Sequence, residues 1–142
     1  MNCRVVYYSR TGNTRRVAEA IAQAVGCEAE SVDRCRITEG VDLLFLGGAV
    51  YATYQHNYHP AIRHFLKDLD KTRVRKIAVF ATYAFSSSIG KLIDLASSAG
   101  FLVTSESFAC KGRFLLFNLR HPDAAEIDRA KEFANHLAGN AR

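Results

Sequence analysis

The chain lacks paired cysteines, has no long apolar run, and carries no carboxylate in several of its loops. Its four cysteines, Cys3, Cys27, Cys35 and Cys110, are scattered without a Cys-x-x-Cys pair, so neither a zinc site nor a redox dithiol is suggested. Reduced thiols in a cytoplasmic protein are the expectation. No apolar run approaches the ~20 residues that a membrane span requires. Met1-Asn2-Cys3-Arg4 leads straight into a strand pattern, with no signal peptide. Internal repeats, linkers and low-complexity tracts are missing too, so the 142 residues read as a single domain, 1–142, with enough core to fold alone.

What is present is ordinary in bulk: 49% hydrophobic and 23% charged residues, as in a globular protein. The net charge is +5. Charge speaks to partners and solubility, not to fold. Nucleic-acid binding would rest on that net charge alone, because no recognition motif or aromatic-basic stripe accompanies it. No nucleic-acid partner is expected.

The informative stretch is the N-terminus. Arg4 to Tyr8 is a β-branched and aromatic strand, and Val17, Ala18, Ile21 and Val25 fall on one face of a helix. Between them lie Ser9, Arg10, Thr11, Gly12, Asn13 and Thr14, which supply three hydroxyls, an amide and a glycine with no carboxylate. A helix N-terminus presents unpaired backbone N–H groups and partial positive charge, and small hydroxyl side chains add donors without blocking access. The segment therefore reads as a phosphate cradle. It has neither the Gly-x-x-x-x-Gly-Lys-Ser/Thr spacing nor the Gly-x-Gly-x-x-Gly turn. It resembles the phosphate loop of flavodoxins, whose N-terminal signature constrains Val5, Val6, Tyr7, Ser9, Gly12, Thr14, Ala18 and Ile21, and each of these fits. The resemblance implies that the loop holds the single phosphate of flavin mononucleotide (FMN).

Taken in order, Gly26 stops the first helix and Cys27 to Val32 forms a short edge strand. Leu43 to Val50 is a continuous apolar run, as a strand buried on both faces requires. Pro60 opens a second helix with Ile62, Phe65, Leu66 and Leu69 inward. Lys76 to Thr82 is a fourth strand. The loop Tyr83 to Ser88 caps a helix carrying Ile89, Leu92, Ile93 and Ala96, closed by Gly100. Phe101 to Phe108 is expected as a fifth strand, and Ala109 to Leu119 as irregular. His121-Pro122-Asp123 starts the last helix. Alternating strands and helices give an α/β domain with a parallel sheet covered on both faces. The resemblance covers the whole chain and implies a flavodoxin-like three-layer sandwich, its five-stranded parallel sheet in order 2-1-3-4-5.

In an open α/β sheet the loops after strands 1, 3 and 4 share one crevice. By position and resemblance the remaining cofactor-binding candidates are Val50, Tyr51 and Ala52 in one loop and Thr82, Tyr83, Ala84 and Phe85 in the other. A flat apolar ring suits aromatic walls, and Tyr51 and Tyr83 are candidates either to stack on a flavin or to pack at the loop roots. His56, His59 and His64 cluster in sequence without a neighbouring carboxylate or thiolate, so no metal is expected there. His59 is also a candidate donor to a bound flavin or substrate. Lys111 and Arg113 are either a solvated basic turn or a contact for an anionic substrate or donor. Phe114 to Phe117 demands cover from the core, a partner subunit in a homodimer, or a membrane surface, with self-packing or a dimer contact favoured.

Flavodoxins that carry electrons are typically acidic, and this chain is not. Carboxylates near a flavin disfavour its reduced anion; the cofactor loops here contain none, while Arg10, His56 and His59 lie in them. A higher potential than a typical flavodoxin's is expected, which favours two-electron chemistry on a quinone-type acceptor. The stretch Tyr51 to Ile62 also resembles the flavodoxin-like protoporphyrinogen oxidase. The alternatives are a basic electron carrier serving an acidic partner protein, and a binding module that has lost its flavin. The catalytic residues, if any, stay unassigned. A low-molecular-weight phosphatase would need a cysteine in the first loop, and a receiver domain an Asp where Val50 stands; neither is present.

Overall fold

The computed structural model describes residues 1–51, 57–84, 88–113 and 118–139, apart from the side chains of Val50, Tyr51 and Asn57. The elements alternate: β1 (Cys3–Tyr7), α1 (Asn13–Val25), β2 (Ala29–Ser31), β3 (Val41–Tyr51), β4 (Asn57–Tyr58), α2 (Pro60–Asp68), β5 (Val74–Tyr83), α3 (Ile89–Ser98), β6 (Phe108–Lys111) and α4 (Ala124–Gly139). Five strands lie parallel in the order β2-β1-β3-β5-β6, which is the expected order. The two-residue β4 adds an antiparallel pair at the end of β3, Val50 opposite Tyr58.

Side chains alternate across the sheet, so neighbouring residues serve opposite layers. Val5, Phe45 and Phe80 pack with Val17, Ile21, Ala130 and Ala134 on the α1/α4 side. Val6, Leu44, Leu46 and Val79 pack with Ile62, Leu66 and Leu92 on the α2/α3 side. This double burial explains the unbroken apolar run of β3. Its two glycines are forced by packing: a Cβ on Gly47 would stand 2.0 Å from the Phe80 ring, and one on Gly48 would stand 2.4 Å from Ile62 Cδ1. Gly26, at φ 76°, ends α1 in the left-handed conformation that glycine adopts without strain.

The structure departs from the sequence expectation at the sheet edge. Within the segment expected as the fifth strand only Val103, opposite Ile77, pairs before Phe108, where regular pairing starts opposite Phe80. Two extra residues are accommodated here, since 103 to 108 runs beside 77 to 80. Thr104 causes part of this: its hydroxyl donates to the Glu106 carbonyl at 2.7 Å, a local turn that competes with the ladder. Ala109, Cys110 and Lys111 are consequently in β6, not in an irregular segment. Ser88 stands at the α3 N-cap position but makes no side-chain capping bond. Its carbonyl instead accepts the Tyr58 hydroxyl at 3.1 Å.

Candidate functional site

The carboxyl ends of β1, β3 and β5 meet where the strand order reverses, the place at which such sheets bind ligands. Gly12 caps α1 with φ 92°, and its carbonyl accepts the Arg16 N–H at 3.0 Å, the first bond of the helix. A glycine cap has no side chain to occupy the free N–H groups of the first turn, and that turn contains no acidic residue. Among the described residues, a Cβ on Gly12 would meet nothing within 4 Å. Ser9 Oγ accepts the Gly12 N–H at 3.0 Å, which folds the loop back on itself. These features fit a phosphate group: open backbone donors, hydroxyls at Ser9, Thr11 and Thr14, and no competing anion.

Further contacts lace the loop to its surroundings. Thr14 and Thr82 are both buried, and their hydroxyls lie 2.8 Å apart. Asn13 Nδ2 donates to Thr11 Oγ1 at 3.2 Å and to the Arg113 carbonyl at 2.7 Å. Gly112 lets this happen, because a Cβ there would stand 2.8 Å from Asn13 Nδ2. The Gly112 N–H donates to the Tyr83 carbonyl at 2.8 Å. Asn118, left-handed at φ 54°, donates from Nδ2 to the carbonyls of Ala84 at 2.7 Å and Gly112 at 3.3 Å. The phosphate loop, the end of β5 and the segment after β6 thus form one bonded unit.

His59 does something the sequence reading missed. Its Nδ1 accepts the Ala61 N–H at 3.0 Å and caps α2, while its ring stacks on Tyr8 at 4.0 Å and 18°. Burial, with Arg10 nearby, pulls its pKa below the ordinary value. No local signal foretells a contact between residues so far apart in sequence. His64 is exposed on α2, and His56 lies outside the described residues.

The expected site residues fall as follows. Ser9, Arg10, Thr11 and Gly12 form the β1–α1 loop, and Asn13 and Thr14 open α1. Val50 and Tyr51 end β3, Thr82 and Tyr83 end β5, and Ala84 follows. Thr82 faces Thr14 beneath the phosphate loop. Ala52, Phe85 and the apolar segment 114–117 lie outside the described residues. Lys111 and Arg113 are exposed beside the site.

His121, Asp123 and Glu126 bring potential metal-ligating atoms within 4.8 Å of one another. Their hydrogen bonds account for the cluster. The Glu126 N–H donates to Asp123 Oδ1 at 2.8 Å and the Asp123 N–H donates to Glu126 Oε1 at 3.1 Å, a reciprocal cap on α4. Glu126 also pairs with His121 and accepts the Lys111 N–H at 3.0 Å, which ties the end of β6 to α4. The spacing Asp-x-x-Glu in the sequence signals this cap. Cys110 is buried, with burial pushing its thiol up to about 12, and Cys35 is pushed to about 11. Neither has the character of a nucleophile.

The fold and the site together define a doubly wound α/β protein whose β1–α1 loop, at the switch point, has the chemistry to receive an anion. Residues 4–114 match the flavodoxin domain model. The chain belongs to the flavodoxin family, a family of FMN-binding proteins. An uncharacterised protein of Methanocaldococcus jannaschii is 32% identical, the match covering 90% of this chain and 91% of that one. Among solved structures, a flavodoxin from the domain Archaea superposes with a TM-score of 0.80 at 16% identity, over 99% of this chain and 98% of that one. Flavodoxin 1 from Bacillus cereus superposes with a TM-score of 0.74 at 17% identity, over 98% of each chain. Among the described residues no helix is long and apolar enough to cross a membrane.

Proposed function

We propose that the chain binds FMN at this switch point and passes electrons between it and a partner protein or a quinone-type acceptor. The observation that carries the reading is the open N-terminus of α1, capped by left-handed Gly12 and ringed by small hydroxyls. Ser9, Thr11, Gly12, Asn13 and Thr14 would hold the phosphate. Val50 to Ala52 and Thr82 to Phe85 would line the ring. The flavin supplies one- or two-electron transfer when bound. The chain's part is to bind, orient and tune: backbone N–H groups and hydroxyls neutralise the phosphate, and carboxylate-free loops leave a reduced, anionic ring without repulsion. That absence favours a higher potential and two-electron turnover of a quinone-type acceptor.

The test is to incubate the purified protein with FMN, remove free cofactor and record the flavin absorbance. Retained flavin supports the reading. A chain that is folded by circular dichroism yet retains none is a binding module, and the proposal fails. For the loaded protein, a redox titration with a well-separated, very low second step would refute the two-electron reading.

A further inference from the structure

The described residues of four chain segments, 8–16, 50–60, 82–93 and 107–122, bound the end of the sheet that carries the site. None contains Asp or Glu. Within them stand Arg10, Arg16, Lys91, Lys111, Arg113 and Arg120, all exposed. The helices add to this field. α1, α2 and α3 all begin at this end, and none has an acidic residue in its first turn. Only α4 places acids there, and they are engaged: Glu126 is buried among the N–H groups of Asp123 and Lys111, and Asp123 accepts the Glu126 N–H. Asp33 follows β2, and Glu19 on α1 pairs with Arg15 at 2.8 Å.

The opposite end of the sheet is different. Asp42, Asp68 and Asp70 are interspersed there with Lys67, Lys71, Arg73, Arg75 and Lys76, and Asp70 pairs with Arg73 at 3.4 Å. The site end thus carries exposed cations in segments free of carboxylates, while the opposite end mixes both signs. A single-sign rim around an open site steers partners of opposite charge. Its cations are spread over separate segments and do not converge on one point, which suits an extended surface better than one small anion.

We propose that this rim docks an acidic electron-transfer protein, one whose redox centre lies beneath a carboxylate-rich surface. Its redox purpose rests on the FMN reading above. In each encounter the reduced carrier loses one electron and the flavin gains it; protons come from solvent.

The test titrates the isotope-labelled chain with an acidic [2Fe–2S]-type ferredoxin carrying redox-inert gallium, and follows backbone amide shifts at low and at physiological salt. Shifts confined to 10–16, 88–91, 111–113 and 118–120 are expected, with affinity falling about tenfold or more as salt rises. The combined reversal Lys111→Glu, Arg113→Glu and Arg120→Glu should abolish them, while Lys67→Glu with Lys71→Glu at the other end leaves them intact. Should the triple variant not fold, Arg120→Gln alone must still weaken binding. Salt-independent or scattered shifts overturn the proposal. So does equal affinity for a basic cytochrome c, or for duplex DNA, the latter marking a general polyanion surface. Because this readout needs no flavin, it stands or falls separately from FMN retention.

Discussion

The Thr14–Thr82 pair offers the sharpest test of how the fold supports the site. Their hydroxyls are 2.8 Å apart and nearly inaccessible, at 1% and 2% exposure. Each hydroxyl has one proton to give. If Thr14 gives its proton to a phosphate at the N-terminus of α1, as proposed above, Thr82 must donate to Thr14. Thr82→Val keeps the shape and removes that donor. A neutral hydrogen bond contributes about 0.5–1.5 kcal/mol, and tenfold in affinity corresponds to about 1.4 kcal/mol, so the Kd for FMN should rise about 2- to 12-fold. Thr14→Val removes the charge-assisted bond itself, about 1.5–3 kcal/mol, and should cost about 12- to 140-fold. The double variant should be little worse than Thr14→Val, because the effect of Thr82 runs through Thr14. Fluorescence quenching of FMN on the apoprotein measures each Kd, and urea midpoints of the apo forms separate stability from binding. An unchanged Kd in Thr82→Val alongside a loss of stability would refute the relay, as would additive effects in the double variant.

Gly47→Ala should destabilise the fold by about 2–3 kcal/mol and lower Tm by roughly 5–12 °C. The new Cβ would lie 2.0 Å from the fully buried Phe80 ring, between two paired strands; adding Phe80→Leu should recover part of the loss, and a neutral Gly47→Ala would contradict the packing account. His59 caps α2 through Nδ1 and so must be neutral to accept. Its folded pKa is depressed from 6.5, so its contribution is complete above that value and is lost as pH falls below it. His59→Asn keeps a capping acceptor and should flatten the fall in urea midpoint between neutral and mildly acid pH; an identical fall would exclude His59 as its cause. Asn118→Gly keeps the left-handed backbone but frees the carbonyls of Ala84 and Gly112, so FMN affinity should fall severalfold with little change in stability. Asn118→Ala should add about 1 kcal/mol of backbone strain, visible in the urea midpoint, and equal stability in the two variants would deny it.

The sequence made most of the strand and helix order legible because those signals are local. β3 reads as a doubly buried strand from its apolar run, and α1 from residues a turn apart. The position of Ser9 to Thr14 at the turn from β1 into α1 was equally legible, since it lies within one short stretch between strand and helix. What escaped is non-local or competitive. Thr104 and its neighbours have strand-compatible flanks, yet a side-chain bond to Glu106 bends the chain and moves regular pairing to Phe108. The stacking of Tyr8 on His59, the Asn118 clasp and the Thr14–Thr82 contact join residues tens of positions apart, and nothing in either partner's surroundings announces the other. The cap formed by Asp123 and Glu126 does have a spacing signature, but its second role, holding Lys111, requires the fold.

The same positive field acts over three ranges, and salt distinguishes them. At hydrogen-bond contact, the α1 N–H groups and the Thr14 hydroxyl would meet a phosphate with no intervening solvent, so ions barely screen them. Over a few ångströms, the carboxylate-free loops set how readily a reduced ring carries its charge. Over ~8–10 Å, the screening length at moderate ionic strength, the exposed cations at 10, 16, 91, 111, 113 and 120 act on an approaching partner through water. Raising salt should therefore weaken docking well before it loosens the flavin. A chain that lost both together would be using one and the same set of surface charges for cofactor and partner, and the division between a contact cradle at the α1 N-terminus and an exposed rim would not hold.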